Sequence, residues 1–370
     1  MYRIPVSRPS IGPDEQAEVA DALRRERLSM GEYVARFEQA FADWILTPGT
    51  SHVSDVHALA TSSGTTALHL AVAALGAGPG DEVLVPACTF VATANAVAYA
   101  GAKPVVVDVD PDTWTMDPND AARKVTRRTV GVVPVHLYGV PADMDRLLAL
   151  AMRHDLWVVE DCAEAVGTYR YTDDRHVGLL GHAGVFSFYA NKTMVTGEGG
   201  MLVTRDREIR RRAAKLRGQG MSARRYYHDT LGYNYRMTDI QAALGLPQIK
   251  RLNALVNRRR EIAQRYRNAL SGHVGLQAER PGWFTGWWHP VVTVAARDEV
   301  AHALALNNIE TRPAFVPMDA LPMYETDLRY RCAVAAEVGR RGLVLPCFDA
   351  ISDEAIDQCV SVVREAVVHV

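Results

Sequence analysis

The chain has 370 residues, of which 48% are hydrophobic and 23% are charged, and its formal net charge is -2. A chain of this length is expected to form a large domain and a smaller one. Because positive and negative charges nearly balance, the sequence lacks the electrostatic pattern of proteins that bind nucleic acids or membrane surfaces. We therefore expect a small-molecule substrate.

The cysteines and the N-terminus indicate the compartment. The five cysteines are scattered and form no CxxC pair, which argues against a disulfide framework and against a zinc site. The opening stretch, MYRIPVSRPSIGPDEQ, lacks the apolar core of a secretion signal. No later segment has the roughly 18 uninterrupted apolar residues of a membrane-spanning helix. The sequence thus predicts a cytoplasmic protein with no metal site.

Helix-like and strand-like segments alternate from Ala67 onward. The predicted helices are ALHLAVAALGAG, TFVATANAVAYAG, PNDAARKVT and PADMDRLLALAMRHD, and the predicted strands are DEVLVPA, PVVVDVD, TVGVVPVHLYG and LWVVEDCAEAVG. Within these, VVVDV, GVVPV and LWVVE are continuous apolar runs, which are typical of strands covered on both faces. The pattern predicts an α/β fold with a mostly parallel sheet between two layers of helices.

The pattern changes in the second half of the chain. Two strand-like pieces, GVFSFYANK and GGMLVT, surround a GEGG turn, and an arginine-rich helix follows them. The next helical stretch is long, and Pro247 is expected to kink or divide it. Beyond about Gly272 the chain has α+β character. We predict a large domain at residues 1–250 and a smaller C-terminal domain at residues 251–370.

Small hydroxyl residues mark the first candidate site. Ligands of open parallel α/β sheets bind at the carboxyl ends of the strands. In ATSSGTTALHL, Ser63, Gly64 and Thr65 immediately precede a helix. Hydroxyls and free N–H groups at the positive end of a helix suit a phosphate group. The alternative is an ordinary helix cap with no ligand.

Carboxylates and an aromatic residue follow two other predicted strands. Glu160, Asp161 and Glu164 come after an apolar strand, so at least one carboxylate is expected at the sheet edge. A buried carboxylate needs a cationic partner. No arginine or lysine is near in sequence, so that partner comes from elsewhere in the fold or is a protonated cofactor nitrogen. Phe90 also follows a strand and could either fill the core or stack on a flat ring.

A lysine completes the set. In FSFYANKTMVTGEGGM, Lys192 lies between an apolar run and a glycine-rich turn. A lysine that condenses with a carbonyl must lose its proton easily, which partial burial near positive charge favours. The alternative is a surface lysine entering a hairpin. Together, a phosphate site, a strand-end carboxylate, an aromatic ring and a lysine are what pyridoxal phosphate requires.

Five motifs give the chain a family resemblance. SSGTTALHLA, DEVLVPACTFVATANAV, VEDCAEAVGT, FSFYANKTMVTGEGGM and LGYNYRMTDIQAALGL occur in the order and spacing of the DegT-type (DegT/StrS) nucleotide-sugar aminotransferases. The chain resembles this family nearly end to end. The resemblance implies a fold type I enzyme dependent on pyridoxal 5'-phosphate. Its large domain would hold a mostly parallel seven-stranded sheet, and a smaller C-terminal α+β domain would follow.

The resemblance also implies roles for individual residues. Lys192 would carry the cofactor covalently and then act as general base, while Asp161 would bond the pyridinium nitrogen. Phe90 would stack on the cofactor ring and Glu164 would face its 3'-oxygen. The other implied cofactor-binding residues are Ser63, Gly64, Thr65, Ser187, Asn191, Asn234 and Arg236.

Two of these residues carry an implication for assembly. Asn234 and Arg236 lie in GYNYRMTD, a loop that family members donate to the cofactor phosphate of the neighbouring subunit. The resemblance therefore implies a homodimer with the active site at the subunit interface. The alternative for Arg236 is an ion pair within its own chain.

The C-terminal part resembles one branch of the family. Glu164 and Asn191 match the perosamine synthase branch, and ETRPAFVPMDALPMY resembles the loop that closes over its nucleotide sugar. The implied substrate-binding residues are Arg312, Phe315, Asp319 and Tyr324. Asp319 stands where that branch usually has His, and an anion near an anionic nucleotide should matter.

The tryptophans Trp283, Trp287 and Trp288 lie nearby in sequence. They could stack on a nucleotide base, but the preferred interpretation is that they pack the second domain or its hinge.

These observations predict an aminotransferase that moves an amino group from L-glutamate to the C4 keto group of a nucleotide-linked 4-keto-6-deoxyhexose. The alternatives among enzymes are amination at C3, a dTDP- or UDP-linked sugar or a cyclitol as acceptor, and sugar dehydration. A dehydratase branch carries His in place of the cofactor lysine, whereas this chain keeps Lys192. The alternative from another class is a non-catalytic, ligand-binding regulatory protein, which would need neither Lys192 nor Asp161.

Overall fold

The computed structural model describes residues 2–46, 55–324 and 331–368. The helices are α1 (Pro13–Arg24), α2 (Glu32–Ile45), α3 (Gly64–Ala74), α4 (Ala92–Tyr99), α5 (Pro118–Lys124), α6 (Met144–His154), α7 (Arg207–Arg217), α8 (Asp239–Lys250), α9 (Leu252–Leu270), α10 (Arg297–Leu306), α11 (Ala333–Arg341) and α12 (Asp353–Val368). The strands are β1 (His57–Thr61), β2 (Glu82–Pro86), β3 (Lys103–Val107), β4 (Thr129–Val132), β5 (Trp157–Asp161), β6 (Tyr169–Arg170), β7 (Arg175–His176), β8 (Ala183–Ser187), β9 (Gly200–Thr204), β10 (Gly275–Leu276), β11 (Trp283–Phe284), β12 (Val291–Thr293), β13 (Arg312–Pro313) and β14 (Gly342–Val344). None of the described helices is long and apolar enough to cross a bilayer.

The central sheet has seven strands in the order β1-β9-β8-β5-β4-β2-β3. Strand β9 is antiparallel to both of its neighbours, and the other neighbouring pairs are parallel. The prediction of a mostly parallel seven-stranded sheet is therefore confirmed. The strands β1, β2, β4, β5 and β8 consequently end at the same edge.

Adjacent residues of the strands belong to two different hydrophobic cores. Val158 of β5 packs in the core beneath α2, α6 and α8, whereas Val159 packs in the core beneath α3, α4 and α7. Side chains alternate between the two faces of a strand, so a strand buried on both faces needs apolar residues at every position. This accounts for the uninterrupted apolar runs. The same alternation sends the next two residues, Glu160 and Asp161, to opposite faces.

A third core lies in the C-terminal part of the chain. It is built on the sheet β10-β12-β14-β13, against which α9, α10 and α12 pack. Ile4 belongs to this core, and its N–H donates to the Asn308 carbonyl at 3.1 Å. The N-terminal segment therefore reaches across to the C-terminal part.

The long helical stretch is divided, but not at its proline. Pro247 lies inside α8, and the break between α8 and α9 occurs at Arg251, four residues later along the chain. Arg251 leaves the helical conformation and its guanidinium donates to Glu15 of α1 at 2.9 Å. The break coincides with the domain boundary that the sequence predicts, and we retain that boundary as a proposal.

Candidate functional site

A cavity of about 550 Å³ lies at the sheet edge where the parallel strands end. Most of the predicted site residues line it: Ser63, Gly64, Thr65, Phe90, Asp161, Glu164, Ser187, Asn191, Lys192, Arg312 and Phe315. The strand order brings together residues that are far apart in sequence, because β1, β5 and β8 end side by side or nearly so. This is where ligands of open α/β sheets bind.

The N-terminus of α3 forms one end of the cavity. The Ser63 hydroxyl accepts the Thr66 N–H at 3.1 Å, and the Thr66 hydroxyl accepts the Ser63 N–H at 3.0 Å. The first N–H groups of a helix have no intrahelical acceptor, so those of Gly64 and Thr65 remain available at the positive end of the helix. Capping and anion binding are therefore compatible here rather than alternatives.

Gly64 is required by close packing. A Cβ at this position would lie 2.8 Å from the Ser187 Cβ, at the end of β8. We expect Gly64→Ala to weaken the binding of the pyridoxal phosphate that the motifs imply, and to lower the free energy of unfolding by about 1–3 kcal/mol. Urea denaturation and a spectrophotometric cofactor titration measure the two effects.

The matched control for that substitution is Gly78→Ala. No atom lies within 4 Å of a Cβ at Gly78. This variant should unfold and bind the cofactor like the parent. Equal behaviour of the two variants would show that the tight approach of Gly64 to Ser187 has no part in binding.

Glu160 faces away from the cavity and is fully used by the fold. The His136 Nε2–H donates to its carboxylate at 3.1 Å, and the Ala142 N–H donates to His136 Nδ1 at 3.1 Å. Three backbone N–H groups also donate to the carboxylate: those of Gly178, Leu180 and Gly181. His136, Glu160 and Cys162 are close enough to hold a metal ion. These hydrogen bonds already occupy both carboxylate oxygens and both ring nitrogens, so the cluster has a structural role.

Asp161 is the carboxylate that reaches the cavity. The Thr93 hydroxyl donates to its Oδ2 at 2.8 Å and the Ala163 N–H donates to its Oδ1 at 3.1 Å. No ion pair involving Asp161 occurs within the described residues. Burial raises the pKa of Asp161, and these hydrogen bonds oppose the increase only in part. A cationic ligand atom would therefore be stabilised beside it.

Lys192 points into the same cavity, and its side chain is 12% exposed. Its Nζ lies 3.5 Å from Glu164 Oε1 and 3.6 Å from the centroid of the Trp288 ring. The other Glu164 oxygen accepts the Tyr138 N–H at 2.9 Å. Burial lowers the pKa of Lys192, and the negative charge of Glu164 acts in the opposite direction. The amine therefore loses its proton more easily than a surface lysine does.

Aromatic rings form one wall of the cavity. Phe90 is 56% exposed, so it does not fill the core. Its ring centroid is 6.1 Å from that of Phe315, which in turn stacks on Tyr138 at 5.5 Å with an interplanar angle of 5°. A flat ligand ring could lie against this surface.

Two predicted substrate-binding residues do not line the cavity. Asp319 is 2% exposed, and the Cys332 N–H donates to its Oδ2 at 2.8 Å. The Tyr324 hydroxyl donates to Asn95 Oδ1 at 2.7 Å. The structure thus places Asp319 in a buried turn. Substrate contacts of Asp319 and Tyr324 stay a prediction.

Asn234 and Arg236 also lie outside the cavity lining. Both are exposed, and Arg236 Nε donates to Asn234 Oδ1 at 3.2 Å. Within the described residues Arg236 forms no ion pair, so the structure offers no support for the alternative of an intrachain pair. The backbone of Arg236 bridges to Thr61 at the end of β1.

Sequence reasoning missed several residues of the site. Trp288, assigned to packing, packs in a core and also lines the cavity. His289 lines it as well, and its Nδ1 lies 3.2 Å from the Leu345 carbonyl. Burial holds the pKa of His289 well below its usual range. These residues come from the C-terminal half, where nothing in the local sequence indicates that the chain returns to the sheet edge.

The family is decided by a match over nearly the whole chain. Residues 9–364 match the model of the DegT/DnrJ/EryC1/StrS aminotransferase family. The chain belongs to this family. It is a sugar aminotransferase dependent on pyridoxal 5'-phosphate, as the motifs predicted, and the alternative of a non-catalytic regulatory protein is set aside.

Three similar proteins illustrate the range of the family. GDP-perosamine synthase of Escherichia coli O157:H7 is 41% identical over 361 residues, which cover 96% of each chain. UDP-N-acetyl-3-dehydro-alpha-D-glucosamine 3-aminotransferase of Acidithiobacillus ferrooxidans is 40% identical over 83% of this chain and 84% of its own. The structure of the putative sugar aminotransferase Spr1654 from Streptococcus pneumoniae, in its PLP form, superposes with a TM-score of 0.91. It is 27% identical and covers 100% of this chain and 99% of its own.

The cavity fits the cofactor on structural grounds. Gly64 lies where a Cβ would collide with Ser187, at a helix N-terminus with free N–H groups. Asp161 is a buried carboxylate whose pKa burial has raised. Lys192 is an amine whose pKa burial has lowered. These three features suit a phosphate, a protonated ring nitrogen and an aldehyde respectively.

Proposed function

We propose that this enzyme transfers the amino group of L-glutamate to the C4 keto group of a nucleotide-linked 4-keto-6-deoxyhexose, in a reaction like that of GDP-perosamine synthase. The observation that carries the assignment of chemistry is the placement of Lys192, Glu164 and Asp161 in one cavity at the sheet edge. The identity of 41% over 96% of the chain supports the choice of acceptor. Glu164 and Asn191 are also the residues that resemble the perosamine synthase branch.

Lys192 and Asp161 would perform the chemistry. When bound, the cofactor supplies an aldehyde that accepts an amino group and a ring that withdraws electrons. Lys192 Nζ, whose pKa is lowered by burial, would bind the cofactor and afterwards carry the proton to and from the reacting carbon. Asp161, oriented by Thr93 and Ala163, would keep the ring nitrogen protonated.

The remaining lining residues would hold and orient the ligands. The N–H groups of Gly64 and Thr65, with the hydroxyls of Ser63 and Ser187, would bind the phosphate. Asn191 Oδ1 is buried and has no hydrogen-bond partner among the described residues, so it is available to a ligand donor.

Phe90 and Glu164 would complete the ligand environment. Phe90 would lie against the cofactor ring. Glu164, which Tyr138 N–H holds in place, would face the 3'-oxygen.

Arg312 and Phe315 are the residues proposed to contact the nucleotide sugar. Arg312 is exposed at the cavity, and its guanidinium lies 3.6 Å from Glu310 Oε1. Exposed ion pairs are weak, so the guanidinium can be recruited by a diphosphate group. Asp319 is buried outside the cavity lining, and its Oδ2 already accepts the Cys332 N–H.

We also propose a homodimer in which Asn234 and Arg236 reach the neighbouring subunit's cofactor phosphate. Their exposure and their absence from their own cavity lining support this assembly. A mixture of two inactive variants tests it. Lys192→Ala and Arg236→Ala subunits should each lack activity, whereas random heterodimers hold one intact site and should regain about a quarter of the parental activity.

The complementation experiment has an internal control. Mixing Lys192→Ala with Asp161→Asn subunits should restore no activity, because both residues belong to the same site. Failure of the Arg236 mixture to recover activity, with heterodimers verified by mass spectrometry, would place Arg236 outside the partner's site.

Amination at C3 is the second candidate, and the 40% identity to the 3-aminotransferase favours it. The C4 assignment is preferred because the perosamine synthase match spans more of the chain. Purified enzyme should be incubated with L-glutamate and a panel of GDP-, dTDP- and UDP-linked 4-keto-6-deoxysugars, together with a UDP-linked 3-keto sugar. Mass spectrometry detects the amine and NMR locates it.

The expected product is a 4-amino-4,6-dideoxysugar, formed fastest from the GDP-linked acceptor. A 3-amino product formed in preference would overturn the C4 assignment. Conversion of glutamate to 2-oxoglutarate without any sugar product would retain the aminotransferase chemistry and reject the proposed acceptor class.

A further inference from the structure

Arg259 is a buried guanidinium that the chemistry described above does not use. It belongs to α9 and is 3% exposed. Within the described residues it forms no ion pair, and burial lowers its pKa. An uncompensated buried charge destabilises a fold. The residue therefore needs an explanation beyond packing.

The guanidinium binds main-chain carbonyls of two segments, one of which carries the reactive amine. Arg259 Nη1 donates to the Trp288 carbonyl at 2.7 Å, and Nη2 donates to the Lys192 carbonyl at 3.2 Å. The planar fork of arginine suits two acceptors at once, which a lysine ammonium cannot reproduce in the same geometry. Helix α9 thus connects the turn after β8 to the segment that precedes β12.

Trp288 adds a second connection between the same segments. Its Nε1–H donates to the Asn191 carbonyl at 2.9 Å. The centroid of the Trp288 ring lies 3.6 Å from Lys192 Nζ. The amine also lies 3.5 Å from Glu164 Oε1. The amine therefore contacts both an aromatic face and a carboxylate.

We propose that Arg259 is a positioning residue that fixes the Lys192 main chain and the Trp288 ring relative to each other and places a permanent positive charge behind the amine. The proposal rests on the role of Lys192 in the proposed function. On this proposal α9, a helix outside the central sheet, helps to position the Lys192 amine.

The charges around the amine support this role. Glu164 and Asp161 favour the ammonium form of Lys192, whereas burial and the charge of Arg259 favour the neutral amine. His289 also lines the cavity, and burial holds its pKa well below the usual range. The other titratable residues of the lining are Tyr138, Tyr189, Glu198 and Arg312. Arg259 is therefore a buried positive charge that opposes the effect of the two carboxylates on Lys192.

Chemical labelling of the cofactor-free full-length protein tests the proposal. Trace acetic anhydride is applied between pH 6 and pH 10, and the rate of acetylation of Lys192 is measured by peptide mass spectrometry relative to the surface residue Lys250. The variants are Arg259→Gln, which keeps amide donors, and Arg259→Met, which keeps the volume and removes the cost of a buried charge. Circular dichroism verifies that each variant folds.

Two further variants serve as controls. Arg259→Lys restores the positive charge. Arg267→Gln changes another arginine of the same helix that donates to a main-chain carbonyl, that of Gln277 at 2.6 Å, and stacks on Trp287. It lies about 12 Å further along the helix.

The proposal predicts that Arg259→Gln and Arg259→Met slow acetylation of Lys192 at pH 8 by about threefold or more, with the profile displaced to higher pH. Arg267→Gln should follow the parental profile, and Arg259→Lys, which keeps a charge but not the two-acceptor geometry, should lie between the parent and the uncharged variants. A parental profile in either folded, uncharged variant would overturn the proposal. The measurement uses neither cofactor nor sugar, so its result does not depend on which sugar is the acceptor. An ordinary surface-like profile for Lys192 in the parent would instead contradict the proposed function.

Discussion

Lys192→Ala is expected to abolish transamination, with a loss of roughly 10³-fold or more, since the amine serves both as the cofactor's covalent partner and as the general base. The visible absorbance band of covalently bound pyridoxal phosphate should disappear as well. The cofactor can still bind noncovalently, because Gly64, Thr65 and Ser187 remain at the phosphate end. Absorbance spectra and coupled assays of 2-oxoglutarate formation give the two results.

The matched control is Lys215→Ala. Lys215 is a lysine of α7 whose ammonium pairs with Asp229 at 2.5 Å on the surface. Its removal should leave both the spectrum and the activity at parental levels. More than a few per cent of residual activity in Lys192→Ala would remove Lys192 from the central role.

Asp161→Asn is expected to change activity and stability in opposite directions. Without a carboxylate the ring nitrogen loses its anionic partner, so turnover should fall by roughly 10²-fold or more. The cofactor-free variant should nevertheless be more stable than the parent at pH 7–8. Burial raises the pKa of Asp161, so ionisation of this carboxyl group costs folding free energy.

The pH dependence follows from the sign of that shift. A group whose pKa is raised by folding contributes stability below its ordinary pKa and loses this contribution as the pH rises through the folded value. The stabilising effect of Asp161→Asn should therefore be largest at neutral pH and vanish near pH 4. Thermal unfolding of the cofactor-free proteins across this range measures it.

Asp120→Asn is a control in which the effect on stability should have the opposite sign. Burial raises the pKa of Asp120, but hydrogen bonds from Lys124 and from the Asp108 N–H outweigh it and lower the pKa overall. Its replacement should destabilise the protein at neutral pH and have a smaller effect at low pH. A destabilised cofactor-free Asp161→Asn variant would show that Asp161 is already compensated within the apoprotein.

The sheet could be predicted because its sequence pattern is local. A strand covered on both faces carries apolar residues on both of them, and β5 shows this in its run WVV. Val158 and Val159 of β5 pack in different cores, so the alternation of side chains also places Glu160 and Asp161 on opposite faces of the strand. Composition alone could not show which face holds the cavity.

The contributions of the C-terminal half could not be predicted in this way. Trp288 and Arg259 lack a motif, and their relation to Lys192 depends on how α9 packs against the turn after β8. The position of Asp319 was equally hidden, since a sequence shows the change from the usual His but not that the carboxylate turns toward the Cys332 N–H. Contacts between elements distant in sequence determine all three.

The most direct test of the central claim is to locate the lysine that carries the cofactor. The holoenzyme is reduced with sodium borohydride, digested and examined by peptide mass spectrometry. The chain has five lysines, Lys103, Lys124, Lys192, Lys215 and Lys250, so the assignment is unambiguous. We predict a cofactor-derived mass on Lys192 alone. Modification of another lysine, or an unmodified Lys192 in a protein that shows the visible cofactor band, would contradict the assignment of Lys192 as the cofactor lysine.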